Sequence, residues 1–109
     1  MTPFTEKVIR IIQSIPEGKV MTYGSIAFAA DSPRGARQVV RILHSMSRKY
    51  NLPWHRVVNV KGMIALTEDE SHSMQKLLLM GEGVILDENN VIDLKKFQFH
   101  PEITDELTD

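Results

Sequence analysis

The chain has 109 residues, 42% hydrophobic and 25% charged, with no cysteine and a formal net charge of -1. That length and composition fit one soluble domain that folds without staples, and the missing cysteine excludes disulfides, thiolate metal sites and any thiol nucleophile. No apolar run could span a bilayer and the first residues lack the apolar stretch of a signal peptide, so a cytoplasmic monomer without membrane contact is expected. Thr2-Pro3 reads as a cap and first helical position, and Phe4, Val8, Ile11, Ile12 and Ile15 recur at helical spacing until Pro16 and Gly18 stop the run. Thr22 can cap a short second helix from Tyr23 to about Ala30, with Ile26, Ala27 and Ala30 facing inward. Asp31-Ser32-Pro33 breaks it, and Ser32 as cap with Pro33 in the first turn starts a third helix that reaches about Met46. A short helix, a tight turn and a longer helix make a helix-turn-helix arrangement. Lys61-Gly62 is a hairpin turn, and a further helix is expected near Ser71 to Met80, with the acidic Glu68-Asp69-Glu70 as a solvated cap before it. Beyond Asp87 the chain reads as a partly irregular acidic tail from which Val91, Ile92, Leu94 and Phe97 can pack back.

Charge is distributed unevenly along these elements. Residues 1–31 balance to zero, residues 32–67 hold seven basic side chains and no acidic one, and residues 68–109 hold eleven acidic side chains against three lysines. On the third helix, Arg34, Arg37, Arg41, His44 and Arg48 fall within a sector of about 80°, while Ala36, Val39, Val40, Leu43 and Met46 point the other way. A ridge of one sign just after a helix-turn-helix break suits a nucleic-acid groove. A solvated face whose charges merely cluster is the alternative. His44, His55, His72 and His100 have no close ligand spacing, so no metal site is expected, and nothing in the sequence calls for a cofactor.

The most specific motif is Pro53-Trp54-His55-Arg56-Val57-Val58. It resembles the active-site run of O6-alkylguanine-DNA alkyltransferases, Pro-Cys-His-Arg-Val, with an indole where the reactive cysteine stands. A thiolate can take an alkyl group from an ether, whereas an indole at neutral pH cannot. The chain is therefore similar to the alkyltransferase-like proteins, the cysteine-less branch that binds alkylated guanine without repairing it. Ile15-Pro16-Glu17-Gly18-Lys19-Val20, Thr22-Tyr23-Gly24, Pro33 through Val40, and Glu82-Gly83-Val84 carry the same likeness, which covers residues 4–86. It implies a mainly α fold with a small β-hairpin: a winged-helix-like helix-turn-helix domain of the alkyltransferase C-terminal type, occupying 1–109 with 87–109 as an acidic tail segment. It implies minor-groove docking to double-stranded DNA containing O6-alkylguanine, and no catalytic residue. The extra N-terminal domain of many true alkyltransferases is not expected.

Further roles follow from the resemblance, residue by residue. Arg37 matches the arginine finger that fills the space of the extruded nucleotide, a task suited to a planar guanidinium, with Arg34 and Arg41 beside it as DNA contacts. Tyr23 matches the tyrosine that helps rotate the nucleotide, and its place at a helix start offers a hydroxyl near backbone N–H groups. Trp54, with Tyr23, Leu43, Ala65 and Leu66, is expected in the pocket for the flipped base; a core plug is the other role open to Trp54. Pro53, His55, Arg56 and Glu82 match the scaffold that positions and activates the cysteine in the enzymes, and structural roles are expected for them here.

The departures from the enzyme pattern matter as well. Ser45-Met46-Ser47 replaces the region of the asparagine-proline pair after the recognition helix, so the usual hinge asparagine has no counterpart. Met63-Ile64-Ala65-Leu66-Thr67 supplies neither the tyrosine nor the glycines that close over the base, which implies a wider, more apolar mouth able to accept groups larger than methyl. Without its own chemistry a lesion binder needs a partner, and the resemblance implies hand-over to nucleotide excision repair proteins; the acidic C-terminal segment, repelled by phosphates, is free for such contacts. A helix-turn-helix regulator reading undamaged DNA also explains the cationic helix, although not Pro53 to Val58, and an alkyltransferase with another nucleophile would show a covalent mass shift.

Overall fold

The computed structural model describes residues 1–64 and 70–101. The first helix, α1 (Pro3–Gln13), starts where the Thr2 hydroxyl accepts the Thr5 N–H at 3.1 Å and Pro3 needs no partner for a missing donor. It buries Val8, Ile9 and Ile12. After Ile15 the chain turns through Gly18 into the two-residue strand β1 (Met21–Thr22), then enters α2 (Tyr23–Ala29). Thr22 and Ser25 cap α2 reciprocally, each side chain bonding the other's backbone N–H at 3.0 Å. Ile26, Ala27 and Ala30 are buried, as the helical spacing requires.

The third helix, α3, spans Ala36–Tyr50, a shift at both ends from the expected Pro33–Met46. Ser32 does not cap it. Its carbonyl accepts the Gly35 N–H at 2.8 Å, closing a tight turn over Pro33-Arg34, and Gly35 becomes the N-cap. Proline's fixed φ serves a turn as readily as a helix start, which is why the sequence pattern allowed both. At the other end nothing breaks the helix until Asn51 takes a left-handed conformation (φ 52°, ψ 48°). Asp31, also left-handed at φ 68°, forms the α2–α3 corner and pairs with Lys7 at 2.9 Å.

A 3-10 turn (Trp54–Arg56) leads into β2 (Val57–Val58), which pairs in parallel with β1 in the register Met21 with Val57 and Thr22 with Val58. The small sheet is thus formed across the chain. The turn at Lys61-Gly62 is present, braced by Asn59, whose Oδ1 accepts the N–H groups of Lys61 and Met63. Gly62 has φ +81°, and a Cβ there would stand 2.4 Å from the Ile92 carbonyl oxygen, so only glycine fits. Ala65, Leu66, Glu68 and Asp69 lie outside the described residues. Helix α4 covers Glu70–Gly81, and a short α5 covers Leu94–Phe97.

Alternation along the sheet divides the interior. Met21 and Val57 join Val8, Ile12, Ile26 and Val39 in a core among α1, α2 and α3. Their neighbours Val20 and Val58 face the other way, into a cluster with Leu79, Val84, Ile92 and Phe97. Each fully buried valine or isoleucine contributes about 1.5–3 kcal/mol of burial. Residues 87–101, expected as a partly irregular tail, are woven in: Val20 N–H donates to Phe97 O at 2.9 Å and Phe99 N–H donates to Val20 O at 2.8 Å. Ile92 and Phe97 are buried as foreseen, while Val91 and Leu94 are half-buried.

Candidate nucleic-acid interface

The α3 helix carries a cationic face and a buried apolar one. Arg37, Arg41, His44 and Arg48 are exposed along one ridge, and the buried Val39 and Ile42 anchor the opposite side. Arg34 is exposed too, but in the Pro33-Arg34 turn rather than on the helix, because α3 begins only at Ala36. Between ridge and core runs a third strip, Val40, Leu43 and Ser47, which forms one wall of an open cleft of about 820 Å³. Among the described residues, Tyr23, His44, Arg48, Asn51, Leu52, Trp54, Val57 and Gln75 also line it. The size lies within the ~300–1,000 Å³ typical of small-ligand sites.

Tyr23, Leu43 and Trp54, expected together in one pocket, do line one cleft. Ala65 and Leu66, the other two, fall outside the described residues. Arg37 and Arg41 are not among the lining residues; Arg37 sits three residues, about 4.5 Å of rise, before Val40. His44 and Arg48, read from sequence only as part of the ridge, border the cleft as well. Burial pushes the Tyr23 hydroxyl above its ordinary value of 10, so it remains a neutral donor near pH 7. Trp54 is half-buried and, with Asn51 and Leu52, lines both this cleft and a second one of about 560 Å³, lined also by Pro53, His55, Arg56, Gln13, Tyr50 and Leu78.

Behind Trp54 lies a polar knot. The Glu82 carboxylate accepts from His55 Nε2 at 2.7 Å, from Arg56 Nη2 at 2.7 Å and Nε at 3.0 Å, and from the Gly18 N–H at 3.2 Å. Arg56 Nη1 continues to the Ile15 carbonyl at 2.7 Å. Gly18 reaches the carboxylate because it adopts φ +84°, a conformation open to glycine at no cost. Burial raises the Glu82 pKa, but the hydrogen bonds from Arg56, His55 and Gly18, with the charge of His55, outweigh it and hold the group at about 2. An ionised carboxylate only accepts, so His55 Nε2 carries the hydrogen and Nδ1 is left with the lone pair in the neutral ring. That is the tautomer of a general base. The neighbouring side chain is an indole, edge-on to the imidazole at a 6.1 Å centroid distance, with no proton for such a base to take at neutral pH.

Gln75 escaped the sequence reading. It is 2% exposed and donates from Nε2 to His55 O at 3.1 Å and Val57 O at 3.0 Å, tying α4 to the turn that bears Trp54. Its signal was its place four residues before Leu79, the fully buried leucine of α4. Asn51, at the end of α3, touches both clefts and was also missed.

A family model described as the DNA-binding domain of 6-O-methylguanine DNA methyltransferase matches residues 3–84. The chain belongs to that family. Within it, this alkyltransferase-like chain is 42% identical over 97 residues to the DNA base-flipping protein of Escherichia coli K12, spanning 89% of its own length and 74% of the relative. It is 39% identical over 85 residues to alkyltransferase-like protein 1 of Schizosaccharomyces pombe, with 77% and 79% covered. The crystal structure of S. pombe Atl1 in complex with damaged DNA containing O6-carboxymethylguanine matches it with a TM-score of 0.77 at 34% identity, over 93% of this chain and 98% of that one. The mainly helical fold with a small sheet is thus shared with the Atl1 complex.

Proposed function

We propose that this protein binds O6-alkylguanine in double-stranded DNA without removing the alkyl group. In this reading α3 docks in the minor groove through Arg34, Arg37 and Arg41, with Arg37 filling the gap left by the extruded nucleotide. Tyr23 helps turn the nucleotide out. The flipped base then enters the cleft between α3 and Trp54. One observation carries the reading: Trp54 occupies the cysteine position of the motif, beside the intact knot of His55, Arg56 and Glu82 and at the cleft wall, in a chain with no cysteine. The machinery that would activate a thiolate is present, and the thiolate is not.

Energetics favour a tryptophan in this role. Extruding a base costs a few kcal/mol, and stacking it on an aromatic ring returns about 1–3 kcal/mol. A lesion that already weakens pairing lowers the cost and is selected. Lacking chemistry, the protein would mark the site for nucleotide excision repair, and a single domain spanning the chain suffices for the binding step.

The decisive experiment compares a duplex carrying one O6-methylguanine with the same duplex carrying guanine, at several salt concentrations, by anisotropy and by the emission of Trp54, the one tryptophan. With about four cations on phosphates, log affinity falls with log salt at a slope of about -3.6 for both. The reading requires tighter binding of the lesion, a change in Trp54 emission and an unchanged protein mass. Equal affinity with silent emission would point instead to a regulator of undamaged DNA, and a gain in mass would show transfer.

A further inference from the structure

Helix α4 buries Gln75 and Leu79 on its inner side. The opposite side should carry charge if it met only water. Yet Lys76 is the one charged residue between Ser71 and Gly81, and it is half-buried. Met74, Leu77 and Met80 face outward instead, each at least half exposed, with Leu78 beside them at 37%. Met74, Leu77 and Leu78 follow at the i, i+3, i+4 spacing that places side chains on one stripe. Along it runs an open groove of about 460 Å³, lined among the described residues by His72, Ser73, Lys76, Leu77, Met80 and Asn90. Isolated apolar side chains on a surface need no explanation, but a contiguous apolar stripe beside a groove marks an interaction site.

Charge decides what can cover it. The tight turn from Asp87 to Asn90, closed by the Asn90 N–H on the Asp87 carbonyl at 2.8 Å, sets the exposed Asp87 and Glu88 beside the groove, where they outnumber Lys76. They belong to residues 68–109, which hold eleven acidic side chains against three lysines. Such a rim repels phosphates and an anionic lipid surface alike. A second copy meeting this face about a twofold axis would bring like charges together. The 12-residue helix is also small for that purpose. At ~18 Å long and ~10 Å wide it offers a footprint on the order of 200 Å², against ~800 Å² per partner in a standard interface. The chain's own acidic residues 102–109 meet the same repulsion. We infer that the outward face of α4 docks an amphipathic helix of another protein, apolar along one stripe and flanked by lysine or arginine. Leu77 and Met80 supply a ridge beside a groove, the relief into which a second helix packs, and methionines adapt their shape to what they meet. No arginine of the α3 ridge lines this groove, so the docked helix and a DNA duplex can be held together.

The test titrates the isotope-labelled full chain with two synthetic helical peptides of about 15 residues, long enough to hold a helix. Both carry the same leucine stripe; one has lysines at the flanking positions and the other glutamates. In amide NMR spectra the lysine peptide should shift residues 73–80 and Asn90 and bind at least about tenfold tighter than its glutamate twin. The double variant Leu77→Ser/Met80→Ser changes two exposed side chains and spares the core. It should weaken the lysine peptide about tenfold while leaving duplex affinity by anisotropy unchanged. Binding of neither peptide, equal binding of both, or shifts that survive the double variant would overturn the assignment. So would a dimer of the peptide-free chain in sedimentation that the double variant dissolves, since the face would then belong to a second copy.

Discussion

Replacing Glu82 by Gln keeps the volume of the side chain and removes its charge, which isolates what the carboxylate does at the knot behind Trp54. Its pKa is held at about 2, against an ordinary 4.5, so the folded state favours the ionised form. A folded pKa below the unfolded one means stability that is complete above pH 4.5 and is lost as pH falls through about 2. That depression corresponds to about 3 kcal/mol; the side chain keeps 13% of its surface exposed, and solvent screening lowers the usable figure to about 2 kcal/mol. The neutral amide that Glu82→Gln introduces would also leave the Arg56 guanidinium, 15% exposed, without its counter-charge. Urea unfolding followed by Trp54 emission should show Glu82→Gln less stable than the wild type by about 2–4 kcal/mol at pH 7. The gap should shrink steadily between pH 4.5 and pH 2, because the wild type then loses the same charge. Other carboxylates titrate alike in both proteins and cancel. A gap of equal size at pH 7 and pH 2.5 would refute the reasoning and mean that shape, not charge, holds the knot together.

Arg41→Ala should weaken binding to damaged and undamaged duplexes alike and reduce the salt slope by about 0.9, measured by anisotropy across a salt series. Arg37→Ala should act differently, lowering affinity for the lesion at least about tenfold and abolishing the Trp54 emission change, because flipping rather than docking is impaired. Gly62→Ala should cost about 2 kcal/mol or more in urea unfolding, since alanine would need φ +81° and would meet the Ile92 carbonyl. Thr22→Ala should cost about 1 kcal/mol through the lost cap of α2, with a lowered melting temperature as its readout.

Much of the helical fold was legible from apolar spacing and caps, because Thr2, Thr22 and the Ile26-Ala27-Ala30 face each act over one or two turns. Boundaries failed where one residue serves two local purposes, as Pro33 does in a turn that looks like a helix start. The parallel pairing of Met21–Thr22 with Val57–Val58 was invisible, since two-residue strands leave no period and their partners lie far apart in sequence. The knot of His55, Arg56 and Glu82 was foreseen through the motif it resembles, but Gly18 as a fourth partner needed the backbone geometry. Gln75 was hidden for a different reason: a polar residue inside a leucine-rich helix reads as the exposed face until its donors are seen on two buried carbonyls. The same helix leaves Met74, Leu77 and Met80 at least half exposed, so hydrophobicity alone does not tell which side of α4 faces inward.

The two-strand sheet joins the residue before Tyr23 to the residues just after Trp54, and its opposite faces belong to different hydrophobic clusters. Separating the described cleft walls therefore means breaking into both clusters, which ties opening of the cleft to melting of the domain. Occupancy and global stability become one equilibrium. A duplex that fills the cleft at a hundredfold excess over its Kd should add about 2.7 kcal/mol to unfolding, a rise in Tm on the order of 10 °C for a domain of this size. A simple thermal scan of the unlabelled protein can thus rank lesions by how well they fit, with the whole domain serving as the gauge.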